Sequence, residues 1–297
     1  MINFIKYRMV TAIVSVLLIG GFFGLVIYKK QTTGEVFRYS IDFTGGAQVL
    51  LKFSQPVSML AVKDILDQEG WDGAALREFG SDEILVRIKL DQVSKDLGQV
   101  AEIMQSAVQN ALPDTQVTVL QSESVGPEVG ETLRGKSFRA VLLAMLAMLA
   151  YIAFSFWSFG FAVGAVVALI HDAILVLAVF LLFDREISIN VVGAILAVIG
   201  YSVNDTIIIF SQIRDNVKKM SHDSLSNIVN VSLNQTLRRT LLTSFSTGIA
   251  VVSMFVLGGE ALRDFSLSLL VGIIVGTYSS IYIASPIMML LNRENKA

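Results

Sequence analysis

The sequence predicts an α-helical polytopic membrane protein with six transmembrane helices and a small α+β, ferredoxin-like domain inserted between helices 1 and 2. Three observations predict it. Of the 297 residues, 54% are hydrophobic and 16% charged, against about 25% charged in a soluble domain. Six apolar runs each approach or exceed the roughly 20 residues that a helix needs to cross a bilayer. One long interval, residues 35–125, breaks that pattern with charges spread throughout. The net charge of −2 gives no footprint for nucleic acid, and zero cysteines with two histidines give no reason to expect a metal centre or a cofactor.

The first run is Met9 to Ile27. Lys6 and Arg8 precede it, and Tyr28-Lys29-Lys30 stands where a cleavable signal would carry small residues, so residues 1–34 read as a cytoplasmic N-terminus and an uncleaved span. Residues 35–125 then read as a periplasmic domain. A strand is expected at Gln48–Phe53, a helix at Ser58–Glu69 ended by Gly70, and strands at Ala74–Phe79 and Glu83–Leu90 about a Gly80-Ser81-Asp82 turn. A second helix, Ser94–Ala111, stops at Pro113, and Gln116–Gln121 is the last strand. The order β-α-β-β-α-β is that of a split βαβ unit. Upstream, Ile41-Asp42-Phe43-Thr44-Gly45-Gly46 interrupts the strand pattern, because paired glycines permit backbone angles that other residues resist. The domain has no histidine and its acids alternate with bases, so binding or mechanical work suits it better than catalysis.

Residues 126–297 read as a connector, Gly126 to Gly130, followed by helices 2–6. The second span is Phe138–Phe156 and the third Gly160–Phe183, in which Gly160, Gly164, Ala168 and Asp172 lie four apart on one smooth face. Asp184-Arg185-Glu186 turns into the fourth span, Ile187–Phe210, where Gly193 and Gly200 are helix-packing candidates. The fifth is Thr240–Leu257 and the sixth Phe265–Leu291. On the sixth, Ser268, Gly272, Gly276, Ser280 and Ala284 form a small-residue stripe expected to seat a partner helix. Between spans four and five, residues 211–239 form the densest basic loop, with Arg214, Lys218, Lys219, Arg238 and Arg239, and belong in the cytoplasm. There Leu225, Ile228, Val229, Leu233 and Leu237 keep helical spacing, which predicts an amphipathic helix lying on the membrane surface. Arg293 and Lys296 bring the C-terminus to the same side.

Asp205, inside the fourth span, is the residue to explain, since a carboxylate there costs about 2.5–3.5 kcal/mol on insertion scales and usually has work to do. It lies a few residues from the inner end of that span, and Arg239 opens the fifth from the same side, so the two can sit at similar depth. Such a couple is either a static ion pair or a proton switch, in which protonating the acid frees the arginine. Asp172 and Asp205 could instead form the carboxylate pair of an intramembrane aspartyl protease. Against this, Asn204 precedes Asp205 where those proteases carry glycine, and the two acids are expected at different depths.

Gly200-Tyr201-Ser202-Val203-Asn204-Asp205-Thr206, with His171-Asp172 one span earlier and Ser232-Leu233-Asn234-Gln235-Thr236-Leu237-Arg238-Arg239-Thr240 after it, resembles the SecD/SecF family of bacterial protein-export membrane proteins, part of the resistance-nodulation-division superfamily. Asp42-Phe43-Thr44-Gly45-Gly46 is similar to the motif that the family carries at the start of its periplasmic domain. The resemblance implies one six-span half of the SecD–SecF complex in the bacterial inner membrane, not an enzyme, with both termini cytoplasmic and no catalytic residue. It implies SecD, the SecYEG translocon, preproteins, membrane lipid and, as a further candidate, YajC as partners, and use of the proton motive force after the ATP-driven stage of export. It also implies Asp205 and Arg239 as the ion-coupling residues, supported by Tyr201, Ser202, Asn204, Thr206, His171, Asp172 and Arg238. A half-size exporter of lipids or drugs is the alternative within the superfamily, disfavoured by the single small external domain.

Overall fold

The computed structural model describes residues 1–71, 73–79, 81–88 and 99–292. The chain divides into two compact units, Met1–Arg38 with Phe138–Ala297, and Tyr39–Ser137. A 3-10 turn, Ile5–Tyr7, leads into α1 (Arg8–Thr32), followed by β1 (Arg38–Tyr39), α2 (Ile41–Thr44), β2 (Gly46–Phe53), α3 (Met59–Gln68), β3 (Ala75–Phe79), β4 (Glu83–Ile88), α4 (Val100–Ala111) and β5 (Val117–Val125). The membrane block is α5 (Pro127–Phe156), α6 (Phe159–Leu182), β6 (Glu186–Ile187), α7 (Ile189–Lys219), α8 (Leu225–Leu257), α9 (Gly259–Ser279), a π-helical turn (Ser280–Ala284) and α10 (Ser285–Leu291).

In the smaller unit the sheet order is β3-β4-β2-β5, antiparallel throughout. β4 therefore lies between the two strands that α3 joins, and β2 between the two that α4 joins, which is the split βαβ arrangement. Alternation along the strands sends Val49, Leu51, Phe53, Ile84, Val86 and Ile88 to one buried face. Val62 and Leu66 on α3, and Val100, Met104 and Val108 on α4, repeat at helical spacing and close the core over them. The expected Gly80 turn position, the strand end at 89–90 and the helix start at Ser94 lie outside the described residues, as do Arg293 and Lys296.

In the membrane unit, six helices among the described residues are long and apolar enough to span. Within this chain 44–50% of the third, fourth and sixth spans is buried, against 6–11% of the first, second and fifth. The core is therefore α6, α7 and the α9–α10 pair.

The structure corrects several boundaries. The segment 211–239 is not a loop: α7 runs past Phe210 to Lys219, α8 begins at Leu225, and only residues 220–224 lie between. No glycine or proline stands between Tyr201 and Thr247 to stop either helix, so both continue as helix where the lipid-like composition ends. The surface helix is likewise absent, because Ile228, Val229 and Leu233 are buried in the bundle. Asn216 Nδ2 donates to Ser232 Oγ at 2.8 Å, and Asn230 and Asn234 accept from the backbone N–H groups of Phe4 and Ile2, both at 2.8 Å. The connector at Gly126–Gly130 is helical from Pro127 onward, proline being suited to a first helical position. The sixth span is interrupted by the π turn, which ends two residues before Pro286 breaks the backbone ladder.

Candidate functional site

Close helix approach builds the site. A Cβ on Gly164 would lie 2.6 Å from the Ala284 carbonyl oxygen, and one on Gly160 2.6 Å from Asn292 Nδ2, so the smooth face of α6 lies directly on the sixth span. A Cβ on Gly276 would lie 3.1 Å from Ser202 Cβ, and one on Gly272 would overlap Val198. The stripe on α9 is therefore the internal seam with α7, not the seat of a partner helix. Gly193 and Gly200, in contrast, meet nothing within 4 Å among the described residues. With Ala197 and Asn204 they form an exposed line along α7.

Asp172, 1% exposed, sits where α6, α7 and α9 meet. Its Oδ2 accepts from Ser202 Oγ at 2.6 Å and from Ser279 Oγ at 2.9 Å. Its Oδ1 lies 3.2 Å from Nδ1 of His171, whose ring stacks on Tyr278 at 6.1 Å. Every oxygen of this carboxylate has a partner, as a buried acid requires.

Asp205 lies one turn further along α7, also 1% exposed. Its Oδ2 has no hydrogen-bond partner among the described residues. Beside it, Thr206 Oγ1 is 2.8 Å from Ser280 Oγ, at the first residue of the π turn, and Ser285 Oγ donates back to the Ser280 carbonyl at 3.0 Å. Two cross-links between α7 and α8 bracket this level. Tyr201 OH donates to Ser244 Oγ at 3.2 Å on one side of it, and Gln212 Nε2 to Gln235 Oε1 at 2.8 Å on the other. Arg239 and Thr240 fall between them. Asp205 stands fourteen residues before Lys219, and Arg239 fourteen after Leu225. At about 1.5 Å per residue each is about 21 Å from its end of the shared turn.

The two thus share a depth, and the charge of Arg239 acts on Asp205, yet no ion pair joins them among the described residues. Arg238 and Arg239 are both exposed on this chain. Thr240 is 1% exposed, and its hydroxyl has no hydrogen-bond partner among the described residues. The two acids also share no hydrogen bond, and Asp172 is fully engaged elsewhere. The proton-sharing pair of an aspartyl protease is not formed here.

Comparison with known proteins decides the family. Residues 103–294 match the family described as protein export membrane protein SecD/SecF, C-terminal. The chain belongs to the SecD/SecF family. A further match, the SecD/SecF GG motif, covers residues 36–57. The protein translocase subunit SecF of Desulfurispirillum indicum is 39% identical over 97% of this chain and 91% of its own length. That of Pseudomonas aeruginosa is 37% identical over 98% and 92%. The crystal structure of SecDF, a translocon-associated membrane protein from Thermus thermophilus, superposes with a TM-score of 0.84 at 34% identity, covering 99% of this chain and 39% of that one.

The SecD/SecF motif Asp42-Phe43-Thr44-Gly45-Gly46 is a packing device in the smaller unit. Ser40 caps α2, its Oγ accepting from the Asp42 backbone N–H at 3.3 Å and donating to Asp42 Oδ2 at 2.9 Å. Gly45 and Gly46 have φ of 74° and 131°, conformations that favour glycine, and a Cβ on Gly46 would also collide with the Ile88 carbonyl. The start of α5 closes on the same turn, where a Cβ on Gly130 would lie 3.1 Å from Gly45 N and 3.2 Å from Phe43 C. Phe43 itself is buried.

Sequence reading of this SecD/SecF chain missed Ser279, Tyr278, Thr240 and the π turn. Pro286 was the available signal for the last, since a proline inside a span forces local rewinding. The hydroxyls carried no signal of their own, because serine and threonine are also ordinary packing residues in membrane helices.

Proposed function

We propose that this chain is the SecF half of a SecD–SecF complex in the bacterial inner membrane, and that it uses the proton motive force to promote preprotein translocation through SecYEG, with Asp205 as the proton-carrying group. The observation that carries the reading is a carboxylate within a span, 1% exposed and with one oxygen unpartnered among the described residues, at the depth of Arg239. Deprotonated, Asp205 attracts that guanidinium across the α7–α8 seam. Protonated, it does not, and in a low-dielectric interior the difference is large. Proton binding thereby biases how α7 and α8 sit against whatever covers Arg239.

SecD is the partner for that face. The Thermus thermophilus relative carries SecD and SecF in one chain, of which this chain matches 38%, and the exposed line Gly193, Ala197, Gly200 and Asn204 leaves α7 room for a close helix. YajC is a further candidate partner. The hydrogen bonds from Ile2 and Phe4 to α8 support an N-terminus on the same side as the basic α7–α8 turn, which the positive-inside bias assigns to the cytoplasm. The domain at 35–125 is then periplasmic.

The test is Asp205→Asn in vesicles that also contain SecD and SecYEG. The gradient-dependent part of translocation falls to background while the ATP-driven stage and co-purification with SecD persist. Full stimulation by the gradient in the variant overturns the assignment.

A further inference from the structure

A slot of about 870 Å³ opens in the membrane unit, within the range of about 300–1,000 Å³ typical of small-molecule sites. Its walls come mainly from α1, α6 and α10, and its lining is mostly aliphatic: Ala12, Val16 and Ile19 with Ile170, Ile174 and Ile287.

Apart from Tyr282 and from Ser15, whose Oγ is 3.0 Å from Tyr278 OH, the polar lining is gathered at two places. Arg8, Ser224, Ser226 and Asn292 close one end, where α1 and α8 begin and α10 ends. Arg8 is exposed and has no ion-pair partner among the described residues. Ser224 Oγ accepts from the backbone N–H of Asn227 at 3.3 Å, which leaves the N–H groups of Leu225 and Ser226 ahead of any helical acceptor and at the positive end of a 33-residue helix. The neighbouring acid, Asp223, is held by Asn227 Nδ2 at 2.9 Å and is not part of the wall. At the deep end stands His171, 2% exposed, whose Nε2 has no hydrogen-bond partner among the described residues.

Length fixes the kind of occupant. From Arg8 to Ile19 is eleven residues, or about 16 Å of helix, roughly half of a hydrocarbon core about 30 Å thick. The slot is thus cationic at one membrane face and apolar through one leaflet. A spanning helix of a partner would need a groove running through both leaflets.

We infer that the slot binds one anionic glycerophospholipid from the leaflet at the N-terminal end of α1. Its phosphate lies against Arg8 and the first turn of α8, and one acyl chain runs along α1 to His171. The other ring nitrogen of His171 holds Asp172, so the chain end abuts the three-helix junction.

Native mass spectrometry of the full chain tests this with dioleoyl phosphatidylglycerol and dioleoyl phosphatidylcholine, and has no export readout, so its outcome is independent of the ion-coupling reading. The first phosphatidylglycerol binds about fivefold more tightly than phosphatidylcholine, whose phosphate is the same but whose choline ammonium offsets the charge that Arg8 attracts, a difference of the size that one basic residue gives beside a net anionic headgroup. Arg8→Gln removes that preference. Ala12→Trp and Val16→Trp, which fill the slot, weaken both lipids, whereas Leu17→Trp, on an exposed face of α1 outside the slot, changes neither. Equal retention of the two lipids by the natural sequence, or slot-filling variants that bind both as before, overturns the proposal. So does loss of a co-purifying partner subunit on filling the slot with lipid binding unchanged, which makes the occupant a protein helix.

Discussion

Asp172 and Asp205 are buried to the same degree, 1% exposed, on adjacent helices of one bundle, and their surroundings are opposite. Asp172 has hydroxyls from two other helices on one oxygen and a histidine on the other. Asp205 has an oxygen with no partner among the described residues and a cation that acts on it without an ion pair. Burial alone therefore does not mark a coupling residue. A carboxylate whose partners are complete is fixed by them, whereas one left incomplete gains more from a proton or an approaching cation than any neighbour now offers.

The contrast exists only while the α7–α9 seam stays tight, so the variant with the largest effect on stability is Gly272→Leu. A Cβ there already overlaps Val198, and a leucine costs more than about 3 kcal/mol, at or beyond the top of the usual overpacking range. Gly200→Leu, facing open space, melts near the natural protein. Thermal unfolding in detergent separates them, and equal melting points would remove the tight seam from the account.

A smaller effect distinguishes the two acids directly. Asp172→Asn presents an amide to two hydroxyl donors and lowers stability by about 1–3 kcal/mol. Asp205→Asn removes a charge that no hydrogen bond completes and leaves stability equal or higher. The reverse order of melting points breaks the comparison.

Arg239→Lys sharpens it on the cationic side. A compact ammonium lacks the planar donors and can lose its proton when buried, so gradient-dependent export falls to a small fraction, whereas Arg238→Lys retains most of it. Equal losses would reduce this segment to a topology signal.

The smallest effect lies outside the bilayer core, at Asp184. Its hydrogen bond from Lys29, at 2.5 Å, chiefly holds its pKa below the usual 3.8; burial opposes this, and the charges of Arg38 and Lys29 add to the lowering. Because the folded value is the lower one, the contribution to stability is present above the unfolded value and lost as pH falls through the folded one. Asp184→Asn therefore costs less than about 1 kcal/mol at neutral pH, the carboxylate being well exposed. The difference in melting point from the natural protein is constant from pH 5 to 8 and vanishes in strong acid.

What could be read from the sequence follows the strength of each physical signal. The six spans and the split βαβ order were legible, because apolar length and alternation are properties of whole segments. Asp205 stood out because charge inside a span is costly wherever it falls. The direction of a small-residue stripe was not legible: glycines at 272 and 276 and at 193 and 200 look alike in sequence, yet the first pair meets α7 and the second meets nothing within 4 Å among the described residues. The extent of α7 and α8 was misread because basic residues mark where lipid ends, not where hydrogen bonding along the helix ends. Ser279 was invisible for a related reason, since its value lies in pointing at Asp172 from another helix.

The π turn has an angular consequence for the sixth span. Residues four apart on an α-helix overshoot a full turn by about 40°, so Ser268, Gly272, Gly276 and Ser280 wind gradually around α9. Between Ser280 and Ala284 the wider winding, with bonds from i to i+5, takes back part of that overshoot, and Ala284 returns to the interior, 0% exposed, against Gly164. The turn is an azimuthal spacer. Deleting one residue inside it, with the wider winding kept, would rotate α10 by somewhat less than the roughly 100° of an α-helical residue, carrying Met288, now 1% exposed, off the smooth face of α6. The number of residues in that turn, more than their identity, decides which side of the last helix meets protein and which meets lipid.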